Sequence, residues 1–161
     1  MAVQQDRWII HQFTQIAKKF LKENYDMELG IPITINGRLK SVYGRFRHMG
    51  NRKQSVRIEM SRNYIEHQEW NTVVETLKHE LIHYALYELD KPYRDGTAYF
   101  EAEIQKHGSH SSGTVKYKGK VQEYECQVCG RKFRRQRRYP NNARGYSHCG
   151  TQIRYNGEKI I

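Results

Sequence analysis

The sequence has no long apolar run. Nothing in it approaches the roughly 18 consecutive apolar residues of a membrane span, so no membrane role is expected. Its opening, MAVQQDRWIIHQ, lacks the basic start and apolar stretch of a secretory signal, which makes the expected location cytoplasmic. Cysteines are few: Cys126, Cys129 and Cys149, all in the last quarter. An odd count with a Cys-x-x-Cys pair suits metal ligation in a reducing compartment better than a disulfide framework. No internal repeat is present. With 161 residues, the chain has room for one compact domain and a small appendage.

Acids are scarce in two places. Residues 108–161 hold twelve Lys/Arg against three Asp/Glu, whereas residues 1–107 hold sixteen against fourteen, so most of the net charge of +11 is C-terminal. A second stretch, Arg38 to Arg57, contains Arg38, Lys40, Arg45, Arg47, Arg52, Lys53 and Arg57 and no acid. A charge run is usually a solvated face. Two of them in one small protein point instead to a polyanionic partner.

What is there is periodic. From Asp6 to about Asn24, Trp8, Ile9, Phe13, Ile16, Phe20 and Leu21 recur at three- and four-residue spacing, predicting an amphipathic packing helix. After Gly30, the segments IPITING, SVYGRFRHM and QSVRIEMS alternate apolar with polar residues. With turn chemistry at Asn36-Gly37 and Met49-Gly50-Asn51, they predict a small antiparallel sheet with a basic polar face. Helix returns near Trp70, where Thr72-Val73-Val74-Glu75 has the form of a capping box and Val74, Leu77, Leu81 and Ala85 form a stripe. Lys91-Pro92 is expected to end that helix, and AYFEAEIQK (residues 98–106) predicts another. The polar stretch HGSHSSGT reads as linker. The expected domains are therefore 1–107, a linker at 108–120, and a basic cysteine-bearing module at 121–161.

Within the second helix lies His79-Glu80-Leu81-Ile82-His83. Residues i and i+4 share a helix face, so both imidazoles can reach one zinc ion, and Glu80 stands beside them to take a proton from a water that the zinc acidifies. The plain alternative is two surface histidines. For this composition, chance gives such a motif in only about three chains in a hundred, and the apolar residues around it imply a buried helix where unpaired polar groups are costly. A catalytic zinc needs a third ligand. Downstream candidates are Asp95, Glu101, His107 and His110. Asp95 sits in the turn Tyr93-Arg94-Asp95-Gly96 and Glu101 on the following helix; the two histidines read as surface residues.

HELIHYALYELDKPYRDGTAYFEAEI, followed by a cysteine-bearing basic tail, resembles the SprT-like metalloprotease family. That resemblance spans the first helix to the last cysteine. It implies an α+β, zincin-like domain of helices on a small sheet, a C-terminal zinc ribbon, and a zinc-dependent endopeptidase whose eukaryotic relatives digest proteins crosslinked to DNA. In bacterial relatives the third ligand is a histidine, and here that position falls on Asp95, five residues before Phe100. A carboxylate is acceptable to zinc, but the departure bears on catalytic strength.

In the tail, Cys126-Gln127-Val128-Cys129-Gly130 is half of a zinc knuckle. Where the family usually repeats Cys-x-x-Cys, the chain offers Tyr146-Ser147-His148-Cys149-Gly150, making Cys149 the third ligand and His148 the expected fourth of a structural zinc. His110, an outside ligand or a degenerate site are the alternatives. Between the halves lie Arg131, Lys132, Phe133, Arg134, Arg135, Arg137, Arg138 and Tyr139: six cations and two aromatics, suited to phosphates and exposed bases and weak as a merely solubilising hairpin. The expectation is a protease acting on DNA-associated proteins, binding DNA without regard to sequence. The alternatives are a non-enzymatic zinc-ribbon DNA-binding protein with a vestigial protease fold, and a regulatory protease that cleaves a specific repressor.

Overall fold

A computed structural model of the chain describes residues 2–48, 56–109 and 115–161. The chain divides into two compact units, residues 1–116 and 117–161, with the division inside the stretch read as linker.

The first unit opens with helix α1 (Ala2–Tyr25). It begins earlier than the periodicity indicates, and its buried stripe is Ile9, Phe13, Ala17, Phe20 and Leu21, while Trp8 is exposed. Three strands follow: β1 (Ile33–Asn36), β2 (Gly44–Arg47) and β3 (Arg57–Ser61). Their order is β1-β3-β2, with β1 parallel to β3 and β2 antiparallel to it. The sheet is mixed, which corrects the antiparallel expectation. Alternation of apolar and polar residues reports which face a side chain takes and says nothing of which strand lies alongside. At Asn36-Gly37 the predicted turn forms, the Asn36 side-chain oxygen accepting from Arg38 N at 2.8 Å, but it launches a crossover rather than a hairpin. Turn residues Met49, Gly50 and Asn51, along with Arg52, Lys53 and the start of QSVRIEMS, lie outside the described residues.

A short helix that the periodicity did not indicate, α2 (Arg62–His67), starts where the Ser61 hydroxyl accepts from Tyr64 N. Helix α3 (Trp70–Glu88) is capped by Glu69 without a side-chain hydrogen bond. Thr72 therefore lies inside the first turn, and the capping box does not form. Val73, not Val74, joins Leu77, Leu81 and Ala85 in the core. Residues 79 to 86 are buried in unbroken succession, so the His-Glu-x-x-His turn does not lie on a solvent-exposed face of the helix. The helix ends before Lys91-Pro92, at Leu89 and a left-handed Asp90 (φ 53°). Helix α4 spans Ala98–Lys106, the range the pattern gives. One core joins α1, α3 and α4 to Ile33, Ile58 and Met60 of the sheet.

In the second unit, β4 (Lys120–Glu125) is flanked by β5 (Lys132–Arg135) and β8 (Arg154–Ile160), both antiparallel to it. A two-stranded ribbon of β6 (Ser147–His148) and β7 (Thr151–Gln152) carries the other turn. Tyr124, Ala143 and Ile153 form its small core. Among the described residues, no helix is long and apolar enough to cross a membrane.

Candidate metal centres and the cavity beside them

One turn of α3 presents His79 and His83 on the same side, and the loop after the helix returns Asp95 to them. The His79 and His83 Nε2 atoms are 3.1 Å apart, and Asp95 Oδ1 lies 3.2 Å from the first and 3.5 Å from the second. Tetrahedral ligands at ~2.0–2.1 Å from zinc stand about 3.3 Å from one another. The donor set fits such an ion in its spacing, and His83 fits it in its protonation too. The Tyr93 carbonyl accepts from His83 Nδ1, which fixes the ring proton there and leaves Nε2 a bare lone pair. Burial, reinforced by the neighbouring His79, lowers the His83 pKa and keeps the ring neutral. Three potential ligand atoms thus converge on one point, an arrangement that a cation satisfies.

The rings are fixed by Phe100 of α4, stacked on His83 (4.0 Å, 13°) and edge-on to His79 (5.3 Å). Glu101 is outside the triangle. Its Oε1 accepts from Gly96 N at 3.0 Å, fastening the Asp95 loop to α4. His107 is elsewhere, with Tyr25 and Glu103, and His110 lies outside the described residues.

Glu80 accepts a 2.7 Å hydrogen bond from Phe46 N of β2. Burial pushes its pKa up to about 8, against the pull of that N–H and with a further push from Asp95. Strand β2 comes this close because residue 44 is glycine: a Cβ there would lie 3.0 Å from Met60 Sδ and 3.2 Å from Glu80 Cγ. Between β2, α3 and the Asp95 loop is a cavity of about 530 Å³, whose lining includes His79, Glu80, His83 and Asp95 together with Phe46 and His48. The sequence reading missed Phe46, Tyr93 and Gly44. A glycine inside a strand pattern is the one signal that could have flagged the close approach.

In the second unit, two tight turns face each other. After β4, Gly130 N donates to the Cys126 carbonyl (2.9 Å) and Gly130 is left-handed (φ 72°). Between β6 and β7, Cys149 (φ 51°) and Gly150 (φ 73°) are both left-handed. The turn at Cys149 is what lets adjacent residues serve one point, since neighbours along an extended strand face opposite ways. His148 Nδ1 is 3.4 Å from Cys129 Sγ and 3.3 Å from Cys149 Sγ, and the Cys126 thiol donates to the His148 carbonyl (3.4 Å). The four potential ligand atoms lie within 4.8 Å of one another. The Cys129 backbone N–H, with His148, draws the Cys126 thiol down to about 6. Cys149 is pushed up to about 11, first by Cys129 and then by burial and Cys126. Three thiols this close cannot all ionise without a cation among them.

Much of the basic charge is already engaged. In the first unit, Glu59 is 2% exposed and accepts from Arg45 and Arg57, with Arg47 at 3.8 Å. That acid lies two residues beyond the acid-free stretch. In the second unit, Arg134 and Lys132 pair with buried Glu123 (3.1 and 3.7 Å). Arg131 lies over Phe133, Arg135 over Tyr139 and Arg138 over Tyr155. Tyr139 has Arg135 at 3.9 Å and the Tyr146 ring at 3.8 Å; two groups that near cannot share one face, so both faces are covered. Phe133 packs on the small core. Tyr139 is thus not the open platform the sequence suggested, and Phe133 is partly buried. Arg137 is exposed and, among the described residues, has no ion pair.

The fold and these sites define a mixed α+β protein with two candidate metal centres, one on a buried helix beside a cavity and one between two cysteine turns. The chain belongs to the SprT-like family, whose model matches residues 10–119, ending ahead of Cys126. It is similar to Protein SprT-like of Streptococcus mutans serotype c, 23% identical over 146 residues that cover 90% of this chain and 97% of that protein. It is also similar to Protein SprT-like of Bacillus velezensis, 31% identical over 106 residues, 63% of this chain and 68% of the relative. No solved structure gives a significant match.

Proposed function

We propose that the protein is a zinc-dependent endopeptidase with a zincin-like first domain and a basic zinc ribbon, acting in the cytoplasm on proteins associated with DNA. The observation that carries this reading is the His79–His83–Asp95 triangle with Glu80 beside it at the wall of a cavity. In this reading His79, His83 and Asp95 hold the catalytic ion, and Cys126, Cys129, His148 and Cys149 a structural one. Family membership supports it, and so does the donor chemistry of both clusters.

Zinc, when bound, supplies Lewis acidity and positive charge, polarising the peptide carbonyl and a water and favouring ionised Glu80. Glu80 takes the proton of the attacking water and returns it to the departing nitrogen. The Phe46 N–H holds one Glu80 oxygen, so the other is aimed without a search through rotamers. Tyr93 keeps the His83 proton on Nδ1, and Phe100 keeps both imidazoles upright. For DNA, the support is charge. Arg131, Arg135, Arg137 and Arg138, with the half-exposed Lys132 and Arg134, hold phosphates, which makes binding salt-sensitive and indifferent to sequence. With Tyr139 covered, base stacking has no part in the proposal.

The test combines metal analysis with proteolysis. Two zinc ions per chain are expected, and cleavage of an unfolded protein substrate, faster with DNA, that falls at least a hundredfold in Glu80→Gln. An unchanged rate in that variant would sink the mechanism, and one zinc lost on Cys126→Ser with none at His79/His83 would leave a binding protein only.

A further inference from the structure

This inference rests on the protease reading above and adds a residue to it. Most polar side chains around the cavity are already committed: Arg45 to Glu59, the Tyr43 hydroxyl to the Val115 carbonyl, and Glu75 to Lys78 at 3.1 Å. His48, immediately after β2, is an exception. It lines the cavity with Glu80 and the ligand triangle, and among the described residues nothing hydrogen-bonds its ring nitrogens.

Its ring is nonetheless fixed. Tyr87 of α3 stacks on it (5.1 Å, 28°), Tyr93 stands edge-on (5.2 Å, 84°) and Phe46 lies at 5.4 Å. Tyr87 and Tyr93 in turn brace each other (5.3 Å, 90°). A ring held by three aromatics keeps its orientation, and this one lines the cavity. Whichever tautomer it adopts, an imidazole carries at least one N–H. A donor with a fixed orientation, on the wall of the same cavity that Glu80 lines, can stabilise charge developing on a substrate carbonyl bound there without reorganising. Arg94 also lines the cavity but is exposed and uncaged, so holding it in one geometry costs the entropy of a long side chain.

We propose that His48 is a further catalytic residue, the hydrogen-bond donor to the carbonyl oxygen of the scissile peptide as negative charge gathers there. In the step, the water oxygen bonds to the carbonyl carbon while Glu80 takes one of its protons, and the carbonyl π pair moves onto oxygen. When the C–N bond breaks, that pair re-forms the carbonyl and the Glu80 proton passes to the departing nitrogen. The His48 N–H donates throughout and transfers no proton.

The experiment compares wild type, His48→Phe and His48→Gln as zinc-loaded full-length chains. Phe keeps the ring and its cage but has no donor, while Gln restores an N–H. Zinc content, kcat and KM for a fluorescently quenched unfolded casein are measured for each. In the Glu80→Gln background, calorimetry adds the affinities for a phosphonate peptide, which mimics the tetrahedral anion, and for the parent peptide. His48→Phe is expected to keep both zinc ions and KM within about twofold, and to lose about 100-fold in kcat. It should weaken phosphonate binding at least tenfold with the parent peptide unchanged, and His48→Gln should recover at least tenfold in kcat. Full activity in His48→Phe, loss of zinc from it, equal weakening of both peptides, or no recovery in His48→Gln each overturns the proposal. If wild type shows no Glu80-dependent cleavage, the protease reading falls and this inference with it; cleavage that survives His48→Phe removes this inference alone.

Discussion

Replacing Gly44 by alanine tests whether the approach of β2 to α3 sets the position of Glu80. The backbone at residue 44 is outside the left-handed region. The added methyl therefore costs nothing in conformation, and by narrowing the unfolded ensemble it stabilises by ~0.4–1 kcal/mol. Against this, the Cβ lands 3.0 Å from Met60 Sδ, 3.2 Å from Glu80 Cγ and 3.3 Å from Thr76 Cγ2. All three are inside the ~3.5–4.0 Å optimum for carbon contacts, and overpacking of this kind costs ~1–3 kcal/mol. Sterics win, and Gly44→Ala should lose about 1–2 kcal/mol. Gly37 is the control. It too is outside the left-handed region, and its Cβ would meet only Arg62 Nε, at 3.7 Å. Gly37→Ala should be neutral or stabilising by up to about 1 kcal/mol. Urea unfolding of the zinc-loaded chains, followed by circular dichroism, reads both. Turnover should fall about tenfold in Gly44→Ala, since its methyl pushes Glu80 Cγ away from the Phe46 N–H. Equal stability of the two variants would show that β2 does not press on Glu80, and the account of how the base is held would fail.

Glu80→Gln should also stabilise the metal-free protein in a pH-dependent way. The folded-state pKa of about 8 lies above the ordinary 4.5, so ionisation opposes folding. That penalty is absent below about pH 4.5 and grows as pH rises, reaching about 4 kcal/mol by pH 8. Urea unfolding in chelator at pH 4.5 and pH 8 should show the variants converging at the first and separating at the second; parallel curves would contradict it. Asp95→Ala should reduce zinc from two ions per chain to one, while Glu101→Ala, which frees the Gly96 N–H, should keep both with the first bound about tenfold more weakly. Zinc titration distinguishes the two, and the reverse ranking would make Glu101 the ligand. Arg131→Ala with Arg137→Ala should weaken DNA binding uniformly across sequences and flatten the log–log salt dependence by about 1.5. An unchanged slope would place the phosphates elsewhere.

The amino-acid sequence alone determined the chemistry that depends on spacing along one element. His79, Glu80 and His83 share a helix face because 3.6 residues make a turn, and α4 follows from the pattern of AYFEAEIQK. The Cys-Gly steps at 129–130 and 149–150 mark turns because glycine takes the left-handed conformation found at both. Tertiary structure decided whatever depends on which elements lie side by side. It placed β3 between β1 and β2, supplied Glu59 to the arginines of a stretch that contains no acid, and covered both faces of Tyr139. The same holds at the site. The Phe46 N–H on Glu80 and the Tyr93 carbonyl on His83 are backbone groups, identical in every residue and so invisible in side-chain patterns. Periodicity tells a chain which faces to bury; only packing tells it which groups will meet there.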